Sequence, residues 1–281
     1  MIIDSHVHAI ASDPARYPFS PLRGELGEWV GKVPSAIEDL LAGFEGAGVD
    51  GAVIVQAGSA YGYDSGYATD SVQVSPERLS SVCIIDMLST DGPDRLTYWA
   101  RDRGAVGLRI MASSPAGADL FDSPPAAAVW ERARELGITI NIQMFNRDLP
   151  RLQRVAERYP EVPVALDHLA HYDSGSRSVL DGIEALTPLA ALPNLNLKFS
   201  MVNLLKAEAA GITSNQMLGP LVERFGARRL IWGSNFPSTY EPSYARQVDA
   251  GTAAVRFLTS EDQALVMGEN AGRLWKVGVA R

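Results

Sequence analysis

Three features of the sequence predict an α/β chain closed into a single (β/α)8 TIM barrel. Short apolar runs alternate with amphipathic stretches eight times over 281 residues, the pattern of strands joined by crossover helices. Several runs carry polar residues at every second position. One strand face then packs on helices while the other lines an interior that turns polar towards its mouth. No G-x-G-x-x-G loop follows the first run, which counts against an open doubly wound sheet. The length suits one barrel domain over 1–281, with an extra C-terminal helix.

The strands are expected at 2–7, 51–57, 80–86, 105–111, 138–143, 162–168, 194–200 and 228–234. Helical periodicity falls between them, at about 35–47, 69–76, 91–103, 125–136, 148–159, 177–190, 213–225 and 242–257, with a last helix at about 260–275. The first run, Ile2-Ile3-Asp4-Ser5-His6-Val7-His8, ends in His-x-His. Strand alternation puts His6 and His8 on one face, with Asp4 one step deeper on that face. The second run ends at Gln56. The third holds Cys83, the only cysteine, which excludes an intrachain disulfide and reads as a small buried hydrophobe. In the fourth, Val106, Leu108 and Ile110 alternate with Gly107, Arg109 and Met111. In the fifth, Ile138, Ile140 and Ile142 alternate with Thr139, Asn141 and Gln143. The sixth closes on Asp167-His168. In the seventh, Leu195, Leu197 and Phe199 alternate with Asn196, Lys198 and Ser200. The eighth runs Trp232-Gly233-Ser234-Asn235.

Composition narrows the function classes. Hydrophobic residues are 46% and charged residues 21%, so a large core is affordable. The net charge of −8 argues against non-specific binding to nucleic acid or to anionic membranes. No apolar run reaches the roughly 20 residues of a membrane span, and no basic-plus-apolar leader precedes the first strand. A cytoplasmic protein acting on a small molecule is expected, with its oligomeric state left open.

Barrels of this kind work at the carboxyl ends of their strands. His6, His8, Gln56, Arg109, Gln143, His168, Lys198, Ser200 and Asn235 all lie there, and His171 follows just behind. Three of only four histidines thus end strands. Clustered imidazoles suit proton transfer or a divalent metal. Arg109 and Lys198 are cations on interior faces and need partners. Either they clamp a substrate carboxylate, for which the planar guanidinium is suited, or they form an internal ion pair with Asp4 or Asp167. The loop from Pro18 to Trp29 is either a lid or a packed excursion. Tyr61, Tyr63 and Tyr67 could contact a flat ring, or serve as packing.

His6-x-His8, Asp167-His168-Leu169, Asn196-Leu197-Lys198-Phe199-Ser200, Trp232-Gly233-Ser234-Asn235-Phe236-Pro237 and the late Gly268-Glu269-Asn270-Ala271 together resemble the amidohydrolase superfamily. The likeness is greatest to the branch that contains 2-pyrone-4,6-dicarboxylate lactonase and 4-sulfomuconolactone hydrolase. It implies a barrel that hydrolyses a small, anionic cyclic ester or amide. Two positions depart from the family pattern. Asn235 stands where the family carries an aspartate that binds metal or activates water, and an amide cannot accept a proton at neutral pH. Gln143 stands where metal-binding members carry a ligand on strand four or five. A binuclear site is therefore not expected. One divalent ion such as zinc on His6, His8 and His168, and a metal-free site, both stay open.

The resulting assignment makes His6, His8, His168 and Asn235 the catalytic set. His6 and His8 polarise the scissile carbonyl, directly or through a metal, and His168 or another nearby group takes the proton from water. Arg109, Gln143, Lys198, Gln56, Tyr61 and His171 contact the substrate. A metal-dependent decarboxylase on the same barrel and a binding protein that lost its base are the alternatives.

Overall fold

The computed structural model describes residues 1–113, 117, 119–171 and 178–278. Eight parallel strands run in chain order: β1 (Ile3–Val7), β2 (Gly51–Val55), β3 (Leu79–Cys83), β4 (Gly107–Met111), β5 (Thr139–Gln143), β6 (Val164–Leu166), β7 (Leu195–Ser200) and β8 (Leu230–Gly233). The expected strands are all present and mostly shorter than their apolar runs. Leu108, Ile110, Ile140, Ile142, Leu197 and Phe199 join the outer core beneath the helices. Ile3, Val53, Val55, Val82, Ala165 and Ile231 form a smaller inner cluster with Trp275. Among the described residues no helix is long and apolar enough to cross a membrane.

The last helical stretch explains the floor of the barrel. It runs through Ser260–Ala264, a wider turn at Leu265–Glu269, and Asn270–Trp275. Asn270 donates to the carbonyls of Ala227 and Leu230 and fixes this stretch below β8. Trp275 then enters the interior, where its indole N–H donates to Asn141 Oδ1 at 3.1 Å. Its ring lies 4.8 Å from Lys198 Nζ, a cation–π contact. Thr139 Oγ1 donates to the Leu274 carbonyl at 2.9 Å. The polar interior face of β5, at Thr139 and Asn141, is thus consumed by this plug.

The seam between β1 and β8 departs from simple alternation. The β1–β2 register shifts between Asp4 and Val7. Ile3 belongs to the inner cluster, yet Val7, four residues on, belongs to the outer one. The extra residue turns Asp4 away from the histidine face. This corrects the expectation that Asp4 lies beneath His6 and His8. Instead its carboxylate accepts from the backbone N–H of Ser234 (2.9 Å) and of His6 (3.0 Å), and from the Tyr244 hydroxyl (3.2 Å). The Asn235 N–H donates to the His6 carbonyl and the His8 N–H to the Phe236 carbonyl, each at 2.8 Å. A carboxylate therefore stitches the barrel shut where the ladder breaks. Gly233 permits the close approach, since a Cβ there would lie 2.8 Å from His6 Cβ and from Ser5 Oγ.

Helices differ from expectation at several places, three of them near the site or on its supporting ring. The 91–103 stretch splits into Gly92–Thr97 and a wider turn at Tyr98–Asp102. A helix at Met201–Ala209 follows β7 at once, where no helical stretch was expected. The 177–190 stretch becomes Val179–Glu184 and a tighter turn at Thr187–Ala191, with 177 outside the described residues.

Replacing Asp4 by Ala leaves two buried N–H groups without acceptors, so unfolding in urea should show a loss of about 3 kcal/mol or more. Asp4→Asn keeps an acceptor oxygen and should lose less than half as much. Equal losses would show that the seam does not depend on this acceptor.

Candidate active site

Asp167 is the centre of the site. It ends β6 fully buried, and its carboxylate meets Arg109 Nε at 3.0 Å and Lys198 Nζ at 3.2 Å. His6 Nδ1 stands 3.6 Å from the same carboxylate. Burial alone would push the Asp167 carboxyl up, but Lys198 and Arg109 outweigh it and hold the group well below the usual range. One anion against two cations leaves the floor with a surplus positive charge.

After Asp167 the chain turns through four consecutive left-handed residues, His168 (φ 55°), Leu169 (50°), Ala170 (58°) and His171 (53°). Non-glycine residues rarely string together in this region, so outside contacts must hold the turn. The Asn203 amide donates to the His168 carbonyl at 2.8 Å, and Lys206 Nζ to the His171 carbonyl at 2.9 Å. Both come from the helix that follows β7. The turn brings His168 and His171 to one rim, with ring centres 4.8 Å apart.

The three strand-end imidazoles converge. His6 lies 5.0 Å from His8 and 4.8 Å from His168, ring centre to ring centre. Each has a distinct hydrogen-bonding state. His8 Nδ1 meets the Val55 carbonyl at 2.8 Å. A carbonyl only accepts, so Nδ1 carries the proton and Nε2 presents a lone pair. His168 Nδ1 meets Ser200 Oγ at 2.8 Å, and Ser200 can pass its own proton towards Asn203 Oδ1 at 3.5 Å. With the Ser200 hydroxyl turned that way, His168 Nε2 presents a lone pair; turned to Nδ1, it leaves the proton on Nε2. His6 Nδ1 faces Lys198 Nζ at 3.1 Å, while its Nε2 is buried with no hydrogen-bond partner.

Burial first, then the charges of Lys198 and Arg109, hold His6 well below the ordinary imidazole range. Burial also holds His168 well below that range. Burial and Arg109 push His8 down to about 3, and the same two causes push His171 down to about 4. The four rings are therefore neutral at pH 7.

Above this floor lies a cavity of about 620 Å³. His8, His168, His171, Arg109, Gln143 and Asn235 line it. Leu22 to Trp29 of the long loop after β1 form one wall, so the loop covers the site. Trp29 stacks on His8 at 5.5 Å. Gln143 presents its amide nitrogen to His171 Nε2 at 3.0 Å, and its Oε1 is buried without a partner. Asn235 holds a left-handed backbone (φ 70°) and donates from its amide to Thr239 Oγ1 at 3.0 Å. Asparagine tolerates that backbone well.

Three expected substrate contacts lie elsewhere. Gln56 donates to the carbonyls of Asp64 (2.6 Å) and Gly62 (3.2 Å), which anchors the turn after β2. The Tyr61 hydroxyl accepts from the Ala11 N–H at 2.7 Å, and its ring packs with Ile10, Ala57 and Ala60. Tyr63 lines the cavity in its place. Lys198 lies beneath the histidines, only 2% exposed and paired with Asp167, so it does not clamp a substrate carboxylate. Asp167, weighed from sequence only as an ion-pair partner, proves to be the hub. Its position beside His168 at a strand end was the available signal. Cys83 is buried, and burial pushes its thiol up to about 12, as suits a core residue.

His6, Asp167 and His168 offer ligand atoms within 4.8 Å of one another, so they are near enough to share an ion. His8 is not in this group, contrary to expectation. The donor chemistry does not fit a resident dication, however. The Asp167 oxygens are taken by Lys198 and Arg109, and Lys198 Nζ also stands against His6 Nδ1 at 3.1 Å. The two cations paired with Asp167 would repel an added dication.

Comparisons with known proteins now bear on this geometry. The family model described as amidohydrolase matches residues 3–277. The chain is 29% identical to the L-fucono-1,5-lactonase of Burkholderia ambifaria over 98% of this chain and 95% of the relative. A Burkholderia multivorans amidohydrolase solved with bound zinc superposes with a TM-score of 0.78 at 20% identity, covering 99% of each chain. A Pseudomonas putida protein described as a 2-pyrone-4,6-dicarboxylic acid hydrolase superposes at 0.77 with 23% identity, over 98% of this chain and 97% of that one. The two structures share the barrel fold.

Neutral buried imidazoles carry a stability signature. Below pH 6.5 the unfolded chain protonates histidines that the native state keeps neutral, so acid favours unfolding. Thermal stability should be level above pH 6.5 and fall as pH drops from there towards 4. His8→Gln should visibly flatten that fall in melts at stepped pH. An unchanged slope would mean that His8 titrates normally in the fold.

Proposed function

Because the chain belongs to the amidohydrolase family, we propose that it hydrolyses a small lactone at this cup without a resident metal. The carrying observation is the meeting of His6, His8 and His168 at this cup, with His6 Nε2 buried and without a hydrogen-bond partner. With a proton on that atom, an unpaired donor costs about 1–3 kcal/mol, and a ligand oxygen that seats on it recovers that energy. A lactone carbonyl gains most as attack turns its oxygen into an oxyanion. The surplus positive charge of Arg109 and Lys198 around Asp167 favours that developing anion.

Water attacks the carbonyl carbon while His168 Nε2 takes its proton. The same proton then passes to the ring oxygen as the C–O bond breaks, which releases an open-chain hydroxy acid. His8 Nε2 is an acceptor, so in this reading it orients the water or a substrate hydroxyl. It does not polarise the carbonyl beside His6, as sequence reasoning expected. Asn235 positions by hydrogen bonding, since an amide takes no proton.

The charge of the substrate follows from the lining. Arg23, Arg109, Glu25, Glu28 and Asp86 all line the cavity, and Arg109 already answers Asp167. The cavity walls thus hold three acidic side chains against two basic ones and do not favour a dianion. Ser59, Tyr63, Gln143, His171, Asn235 and Ser238 bring hydroxyl, amide and imidazole groups to the walls, which suits a neutral, hydroxyl-rich ring. Likeness to an L-fucono-1,5-lactonase supports a sugar lactone. An anionic lactone is the second reading, favoured by the Arg109 guanidinium in the wall. A decarboxylase is disfavoured because that chemistry leans on a firmly held metal.

A pH-stat panel of sugar 1,5- and 1,4-lactones beside a pyrone dicarboxylate decides the matter. Sugar lactones should turn over, with or without chelator, and His6→Ala should lower kcat by roughly 10²–10³. Turnover of the dicarboxylate alone would establish the second reading. No turnover of either class by folded protein would leave a binding protein.

A further inference from the structure

Lys198 is among the largest fully buried side chains of the molecule, and the catalytic steps above do not use it directly. Its Nζ has three acceptors: the Ser5 carbonyl at 2.9 Å, His6 Nδ1 at 3.1 Å and Asp167 Oδ1 at 3.2 Å. Three acceptors match the three protons of an ammonium. The first is available because β1 shifts register between Asp4 and Val7. A neutral imidazole carries one proton. With the ammonium donating to Nδ1, that proton must sit on Nε2. The competing arrangement, Nδ1–H donating to Asp167, has its partner at 3.6 Å and would set N–H against N–H at Lys198.

We infer that Lys198 is a positioning residue that fixes the proton of His6 on Nε2, so that His6 serves as a hydrogen-bond donor and is withheld from metal. One contact thus decides which of two chemistries the cup performs. Nδ1–H would expose a lone pair on Nε2. It would then join His168 Nε2 and an unshared Asp167 oxygen as three ligands, which is the number a catalytic zinc site uses. With the ammonium in place, two of those three are withdrawn together: His6 by its tautomer, Asp167 by its ion pair. Lys198→Met keeps the length of the side chain and removes both effects. Arg109 still answers the Asp167 carboxylate in that variant.

The effect on turnover rests on the proposed reading of His6 as carbonyl donor, but the tautomer does not, because it is read without substrate. Long-range proton–nitrogen NMR on protein labelled at its histidines, with His6→Gln for assignment, distinguishes a protonated ring nitrogen from a bare one. In the unaltered protein His6 should show a protonated Nε2 and a bare Nδ1. In Lys198→Met the two should exchange. Cobalt(II) titration followed by visible absorption should show under a tenth of an equivalent bound by the unaltered protein and about one equivalent by Lys198→Met. Bound cobalt should disappear again in the double variant with His6→Gln. On a lactone that the enzyme turns over, metal-free Lys198→Met should lose roughly 10²-fold in kcat with little change in KM.

A bare Nε2 on His6 in the unaltered protein would overturn this role, as would stoichiometric metal binding there through His6. An unchanged tautomer in folded Lys198→Met would do the same. If that variant does not fold, the nitrogen spectrum of the unaltered protein decides alone. Inactivity on every lactone with the expected tautomer would instead defeat the proposed reaction and leave the role of Lys198 standing.

Discussion

The buried ion triad of Asp167, Arg109 and Lys198 is the constraint on which the rest of the site depends. A carboxylate taken out of water costs several kcal/mol unless its partners are near and well placed. Here both oxygens are answered, one by Arg109 Nε and one by Lys198 Nζ. The partners arrive from β4 and β7, on either side of β6, so the triad also ties strands together across the mouth. Its net charge does chemical work as well. Burial chiefly holds the four histidines neutral, and the cations of the triad add to it at His6, His8 and His171. The same field favours an oxyanion. A single electrostatic arrangement therefore sets the state of the catalytic groups and the charge they are built to meet.

Precision at the cup is obtained from two irregular pieces of backbone. The register shift in β1 aims His6 and His8 inward and releases the Ser5 carbonyl to Lys198. The left-handed turn at 168–171 aims two more rings. At roughly 1–2 kcal/mol per residue, four such residues cost several kcal/mol, and Asn203 and Lys206 offset part of that by hydrogen bonding to carbonyls inside the turn. Irregular backbone at a functional site, held by contacts from a neighbouring helix, is how a regular barrel places side chains that regular strands cannot.

Much of this was legible in the chain. Alternation on β4, β5 and β7 gave the barrel and its polar interior, because side-chain direction on a strand is fixed by parity. Parity also placed His6 with His8, and strand-end position placed His168, Arg109 and Asn235. It failed for Asp4, because one inserted residue reverses parity and nothing in Ile2-Ile3-Asp4-Ser5 announces the insertion. It failed for Gln56 and Tyr61 for a different reason. Gln56 follows β2 as expected and Tyr61 lies just beyond it, but the carbonyls of Gly62 and Asp64 take the Gln56 amide and the Ala11 N–H takes the Tyr61 hydroxyl. Depth was the quantity least visible. Lys198 and Arg109 occupy equivalent interior faces, yet one lies in the floor and the other in the wall. That difference is set by strand stagger and by Trp275 rising from below, neither of which the local sequence encodes.

Asn235 brings these strands of argument together. The position needs a residue at ease with positive φ, and it sits between the His6 carbonyl and the rim. With an amide there, proton removal falls to an imidazole whose basicity burial has weakened. A weak base accelerates water poorly, because proton transfer responds to the match between base and proton. The balance must be met on the electrophile side, by an N–H and a positive floor that act on the carbonyl oxygen. Such a site is matched to carbonyl groups that are already reactive and whose leaving group departs with modest help. A lactone satisfies both conditions. An unactivated amide is harder on both counts, since its carbonyl is less reactive and its nitrogen leaves only once protonated. The residue that departs from the family pattern therefore fits the proposed lactone chemistry better than amide hydrolysis.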